Sequence, residues 1–288
     1  MSLEKKILYI QQQPLNPRLN IAVNASYFNF VKNGSHDAVV RIYKHTPGII
    51  LSKNQSLNDL NESYCTKNDL EIASRPTGGG AVYVSPEHTL CYSVILNSDL
   101  MKFENKLEIT DMYKKFTQLL NSKLQEKGLD VDLSGAGWYV MSNPKGDRIP
   151  LIGHSLHLSG NIYQIDGIVN LQKLPIETVS NAIKLRKLYS DGTEKYLHAN
   201  NKYIGKIPSH DSLNLLRDEH AELQKLYGIH DLNLHEKEFQ DVLIDTLTNL
   251  LGDFKIIEDT YDYSNLDYSK LRMPGSEEGL GHCFFRYP

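Results

Sequence analysis

Apolar positions along this chain recur mostly in short alternating runs, interrupted by a few stretches with helical spacing. Residues 6–10 read as a strand. Residues 20–32 read as an amphipathic helix with Ile21, Ala25, Phe28 and Val31 on one face, and Asn33-Gly34 is its stop signal. Two β-rich runs, 38–43 and 48–51, flank a Thr-Pro-Gly turn. A polar loop and short helix around 58–68 lead to an apolar run at 70–73, and 81–83 reads as the opening of a strand. Residues 90–96 are apolar at nearly every position, which predicts a strand in the middle of a sheet.

The strongest helical pattern is 109–127, where Met112, Phe116, Leu120 and Leu124 repeat at helical spacing and Gly128 follows as a stop. Strands are expected at 130–133, 137–141, 151–158 and 161–171, with hairpin signals at 143–146 and 159–161. A helix at 176–188, a mobile polar loop at 189–206 and helices near 212–226 and 237–251 complete the pattern. The Asp-, Tyr- and Ser-rich tail reads as a short strand plus an irregular arm. Strands joined by short turns, with few helices between them, predict an α+β fold: a mixed, mostly antiparallel sheet with helices packed on it. No internal repeat is found, and the expected organisation is one domain over 1–251 with a short C-terminal appendage, 252–288.

Composition narrows the partners more than the fold. With a net charge of −4, the chain has no general attraction for nucleic acid or an anionic membrane, so an anionic ligand must be held locally. No apolar run approaches the ~18 residues needed to cross a bilayer. The N-terminal segment lacks the apolar core and cleavage site of a signal peptide. Cys65, Cys91 and Cys283 are odd in number and lack metal-ligand spacing, which points to a reduced, cytoplasmic setting and no metal site. Each is read as a buried small hydrophobe rather than a nucleophile.

One stretch carries candidate chemistry: Arg75-Pro76-Thr77-Gly78-Gly79-Gly80-Ala81-Val82-Tyr83. Consecutive glycines bring backbone N–H groups close to a ligand, and a nearby arginine suits a phosphate or carboxylate. The alternative is a tight turn between strands that only needs glycine. The Arg41–Leu51 segment followed by Gln55, an acidic and polar helix, and then this loop together resemble the catalytic domain shared by lipoate–protein ligases, octanoyltransferases and biotin–protein ligases, a class II synthetase-like fold. The resemblance covers about residues 6–185 and is nearest the lipoate ligases. It implies ATP and Mg²⁺ as cofactors, lipoate or octanoate as substrate, a lysine on a lipoyl-acceptor domain as the target, and room for a separate accessory subunit. It places Arg75, Thr77, Gly78, Gly79, Gly80, Ala81 and Tyr83 around the acyl chain and its activated carboxyl, joined by Gly153, His154 and Ser155.

The departures from the family pattern concern chemistry. Ser74 stands where the family has a second arginine, Val84-Ser85 replaces a His-Asp pair, and an Asn-Asp pair is missing near Ser134–Trp138. The family lysine of a "G-x-K-hydrophobic-x-G-S" segment falls on Ile149 or Pro150, leaving Arg148 and Lys145 as the nearby cations that can substitute for it. His154 and His157 lie in the same region, either as general bases or as ordinary strand residues. Three readings therefore stand: an acyl-adenylate-forming ligase, a carrier-protein-dependent octanoyltransferase, and a non-catalytic homologue that binds an acyl group or a lipoyl domain. A biotin ligase fits less well, because the loop lacks that branch's arginine-rich character.

Overall fold

Helix α1 (Pro17–Lys32) begins three residues before the apolar periodicity does. Asn16 caps it by accepting from the Leu19 amide at 2.8 Å, and Pro17, preset for the first helical turn, follows at once. A computed structural model describes residues 6–53, 55, 57–78, 80–100, 109–129, 131–134, 138–142, 148–183, 194–197, 203–207, 229, 234–251 and 255–258. The expected helix at 212–226, the turn at 143–146, Cys283 and the end of the tail lie outside these residues.

The main sheet is built from β1 (Lys6–Gln11), β2 (Ala38–Tyr43), β6 (Thr89–Asn97), β7 (Val131–Ser134), β8 (Trp138–Ser142), β9 (Arg148–Ser159), β10 (Ile162–Asn170) and β13 (Lys255–Glu258). Its order is β13-β1-β2-β6-β10-β9-β8-β7. The β13–β1 and β1–β2 pairs are parallel and the rest antiparallel, so the sheet is mixed and mostly antiparallel. β6 lies well inside the sheet, as its continuous apolar run predicts. The β9–β10 hairpin turns at Gly160, whose φ of +62° is cheap only without a Cβ.

A second sheet holds β3 (Gly48–Leu51) between β4 (Glu71–Ser74), parallel to it, and β5 (Val82–Val84), antiparallel. The two β-rich runs at 38–43 and 48–51 thus enter different sheets rather than pairing with each other. The stretch 189–206, expected as a loop, contains β11 (Glu194–Leu197) and, at its end, the start of β12 (Tyr203–Ile207), which pair antiparallel. Among the described residues the expected helix at 176–188 is α4 (Ile176–Ala182), and Ile183 instead bridges to Leu60.

Strand alternation sorts the main sheet into two faces. Val40, Ile42, Tyr92, Val94 and Ile165 share a core with Phe116, Leu120 and Leu124 of α3 (Ile109–Glu126) and with Phe239, Leu243 and Leu247 of α5 (Glu236–Leu251). On the other face α1 packs through Val23, Tyr27, Phe28 and Val31. The small sheet is covered in turn by α2 (Glu62–Lys67) and α4, through Cys65, Val179 and Ala182. The space between the two sheets, closed on one side by α1, is where the fold leaves room for a ligand.

Candidate functional site

Register lines up a polar row across the middle of the main sheet, facing that space. Arg41 on β2 pairs with Ser93 on β6, Ser93 with Asp166 on β10, and Asp166 with Ser155 on β9. The row ends at the glycine loop, where the Ser155 hydroxyl donates to the Thr77 hydroxyl at 2.8 Å. A parallel row of Tyr43, Cys91, Ile168 and Gly153 runs beside it. Together with Ile21, Asn24 and Ala25 of α1, Ile50 of β3 and Val82 and Val84 of β5, these rows line a cavity. It encloses about 640 Å³ between protein atoms, counting the space at its open mouth.

The buried polar residues beneath the cavity satisfy one another. Arg41, fully buried, donates to Gln12 Oε1 at 2.5 Å, to the Asn20 carbonyl at 3.1 Å, to Asn24 Oδ1 at 2.7 Å and to the Asn20 side-chain oxygen. Its guanidinium carbon sits 4.0 Å from the centre of the Tyr43 ring, a cation–π contact. Asn24 donates to the Tyr43 hydroxyl at 2.9 Å, and Asn20 is bonded to His45 Nδ1 at 3.0 Å. A buried charge persists only when its donors are used in this way. The network fixes α1 and the Tyr43 ring against the cavity. Burial, reinforced by Arg41, holds the His45 pKa down to about 3, so its ring is neutral at physiological pH.

Arg75 is bound to its own loop. It donates to the Ile50 carbonyl at 3.2 Å, the Gly78 carbonyl at 2.9 Å and the Gly80 carbonyl at 2.7 Å. Burial lowers its pKa to about 10, against the pull of Asp166, so it stays charged. Asp166 accepts from Ser93 Oγ at 2.7 Å and from Gln164 Nε2 at 2.9 Å, and burial raises its pKa while these bonds and the two arginines oppose the rise. Cys91 borders the cavity, yet burial, aided by Asp166, pushes its thiol up to about 12. A thiol held in that form is a poor nucleophile, in keeping with its reading as a small hydrophobe.

Residues 16–161, just over half of the chain, match the model of the lipoyl protein ligase A/B catalytic domain. The chain belongs to this family. It is 30% identical over 141 residues to the lipoate-protein ligase LplJ of Bacillus subtilis, a match covering 48% of this chain and 40% of that protein. With lipoate–protein ligase 1 of Staphylococcus aureus the identity is 28% over 176 residues, 59% of this chain and 51% of that protein. The matches thus span about half or less of these relatives' own length. The fold is shared with a bi-partite lipoate protein ligase from Thermoplasma acidophilum, at a TM-score of 0.65 and 19% identity over 90% of this chain and 88% of that one. It is likewise shared with a lipoate-protein ligase A bound with ATP, at a TM-score of 0.60 and 18% identity over 90% of each.

Within this family fold, several residues expected at the site come together and others do not. Arg75, Gly153 and Ser155 border the cavity, and Thr77 meets Ser155 beside it. A Cβ on Gly78 would meet nothing within 4 Å, and its φ is not left-handed, so a turn requirement does not explain that glycine. Gly79 lies outside the described residues, and Gly80 serves Arg75 through its carbonyl. Ala81 and Tyr83 point the other way, into the core with α2 and α4, because β5 alternates and gives Val82 and Val84 to the cavity instead.

His154 contributes strand rather than ring. Its imidazole lies on the α3 side, bonded to the Tyr92 hydroxyl and packed against Tyr113 and Phe116, with its pKa lowered by burial to about 3. Arg148 is the first residue of β9, and a register shift opposite Tyr139 and Val140 separates it from Gly153–Ser155, so alternation does not carry through between them. Lys145 lies outside the described residues. Asn24, Tyr43, Gln164 and Asp166 were not among the expected site residues. For Tyr43, Gln164 and Asp166 the signal is a polar side chain on neighbouring strands, visible only once the register is known, and for Asn24 it is a polar position on the buried face of α1.

Proposed function

We propose that this chain is a lipoate–protein ligase-like enzyme, which attaches lipoate or octanoate to a lysine of a lipoyl-acceptor domain by way of an activated acyl group. The cavity between the two sheets carries this reading. Ile21, Ala25, Ile50, Val82, Val84 and Ile168 wall it for an aliphatic chain, while the glycine loop with Arg75 and Ser155 stands at one side for the carboxyl end. The apolar wall supplies binding energy, and Thr77 with Ser155 fixes where the loop meets the sheet. Arg75 holds the loop carbonyls, so its role is to shape the cradle and to add a fixed positive charge beside the carboxyl.

ATP as the activating cofactor fits the open space at Gly78, where an added Cβ would meet nothing within 4 Å. Bound there, it would turn an unreactive carboxylate into a mixed anhydride. Among the described residues no group of three His, Cys, Asp or Glu side chains could hold a metal, so Mg²⁺ would enter on the nucleotide's phosphates. A separate accessory subunit and a cytoplasmic setting belong to the same proposal. Among the described residues no helix is long and apolar enough to cross a membrane.

The test is an acceptor-loading assay with ATP and lipoate or octanoate, run in parallel with octanoyl-carrier protein as donor. Loading with the free acid that Arg75→Ala abolishes supports the ligase. Loading only from the carrier protein assigns the octanoyltransferase reaction instead. The missing family lysine at Ile149-Pro150 favours a second reading, in which the chain binds the acceptor domain without loading it from either donor.

A further inference from the structure

Asp166 is the carboxylate that lines the cavity, and the ligase reading as it stands gives it no task. It sits in register beside Ser155, one strand spacing of about 4.8 Å away, and Ser155 bonds Thr77 of the glycine loop. The carboxylate is therefore next to the end of the cavity where an acyl carbonyl would lie, not at the far end of the acyl chain. Its partners hold it in place without neutralising it. Ser93 donates to one oxygen and a single Gln164 nitrogen is shared between both, which leaves acceptor capacity on a group with roughly four lone-pair sites. Part of its surface is open to the cavity, and the charges of Arg75 and Arg41 favour its ionised form.

A carboxylate beside an anion-cradling loop repels a carboxylate ligand and attracts a cation. The reaction needs a cation at that place, since a lysine side chain arrives as an ammonium. The other titratable groups facing Asp166 do not fill the role. Tyr43 and Cys91 are held in their protonated forms by burial, and Arg75 and Arg41 cannot accept a proton. His45 is turned to Asn20, and the His154 ring is across the sheet.

We propose that Asp166 receives the ammonium of the acceptor lysine and takes its proton, as the base for amide formation. This rests on the ligase reading above. One N–H proton passes to the Asp166 carboxylate, and the freed nitrogen lone pair forms the N–C bond to the activated acyl carbon. The C–O bond to the leaving group breaks with its electron pair, and the second N–H proton leaves to water. Ser93 and Gln164 are positioning residues that keep the carboxylate facing the cavity.

Three measurements on the full chain and on Asp166→Asn separate this proposal from the reading beneath it. Octanoate binding by calorimetry is the control for fold and acyl cavity, and is expected to persist in Asp166→Asn and to tighten, because the carboxylate that repels its head group is gone. Octylammonium, which joins a hydrocarbon chain to a cationic head, is expected to bind the unaltered protein about tenfold or more tighter than Asp166→Asn, the scale of one charge-assisted hydrogen bond. Transfer to a lipoyl-acceptor lysine is expected to fall about 100-fold or more in Asp166→Asn, as for loss of a general base, and hydroxylamine, which reaches the site already unprotonated, is expected to recover the transfer. If octanoate binds both proteins while ammonium preference and lysine transfer are unchanged in Asp166→Asn, the assignment to Asp166 is wrong and the ligase reading stands. If the unaltered protein binds no octanoate, the ligase reading falls, and this proposal with it.

Discussion

Gly78 and Gly167 lack a side chain for opposite reasons. A Cβ on Gly167 would stand 2.1 Å from the Tyr92 ring, which lies across that glycine and packs against His154 and Phe239. Neither a core tyrosine bonded to His154 nor a central strand has room to yield. Gly167→Ala is expected to cost about 1–3 kcal/mol, typical of overpacking, seen as a lower urea midpoint. Gly78 faces open space, so Gly78→Ala is expected to leave stability within about 0.5 kcal/mol. The methyl group would instead occupy the volume through which a ligand approaches the loop, and octanoate binding should weaken. Equal losses of stability in the two variants would overturn this division. The sequence pattern put Gly167 in the expected strand 161–171 and Gly78 in a loop that could be a cradle or a turn, but what a Cβ would meet at either depends on chain segments far away in sequence.

The same logic applies to whole elements. In β5 the alternation of side chains assigns Val82 and Val84 to the cavity and Ala81 and Tyr83 to the core with α2 and α4. Tyr83→Ala is expected to cost about 3 kcal/mol or more by leaving a cavity in that core. Val84→Phe is expected to fill the ligand space and abolish octanoate binding while the protein stays folded, judged by its urea midpoint. If Tyr83→Ala lost binding at unchanged stability, the two faces would have been assigned the wrong way round. The sequence showed that a strand follows the glycine loop, but alternation alone does not say which of its two faces meets the ligand, and the family resemblance had placed Ala81 and Tyr83 there. Helices tolerated such errors better: α3 and α5 were legible within a residue at each end, because a broad apolar face fixes a helix without fixing its start. Where α1 starts was signalled by Asn16-Pro17, a capping cue rather than a hydrophobic one.

At the scale of the molecule, the class of fold was legible and the sheet order was not. β13 joins β1 from the far end of the described chain, and β2 and β3 part into different sheets although a short turn joins them. Local patterning specifies strands, whereas pairing is decided by which faces can be buried together. The polar interior was hidden for the same reason. Arg41, Asn20, Asn24 and His45 look like solvent-facing positions until α1 is laid on β2, after which each has a partner.

That buried polar interior makes stability depend on pH in a way a surface histidine would not. His45 and His154 are both held near a pKa of about 3, whereas an unfolded chain's histidines titrate near the ordinary value of about 6.5. Between these values the unfolded chain carries more protons, so stability rises with pH through that window and is fully present above it. Asp166 works in the opposite sense: with its pKa raised, the folded protein holds a proton that the unfolded chain has released, and that contribution is lost as pH rises above the usual carboxylate value. One carboxyl stands against these two histidines and the partly buried His88 and His157, whose pKa values burial also lowers, so the acid-side loss dominates, at up to about 1.4 kcal/mol per pH unit for each fully buried histidine. Carboxylates of ordinary pKa have nearly finished titrating above about pH 5. The decisive interval is therefore about pH 5 to 6.5, where histidine alone among ordinary side chains still changes charge. Urea midpoints are expected to fall steadily as pH is lowered across it, and His154→Gln is expected to flatten the slope in part, since His45 and, more weakly, the partly buried His88 and His157 still contribute. A midpoint that does not move across this interval in the unaltered protein would mean that the two rings are not held neutral inside the fold.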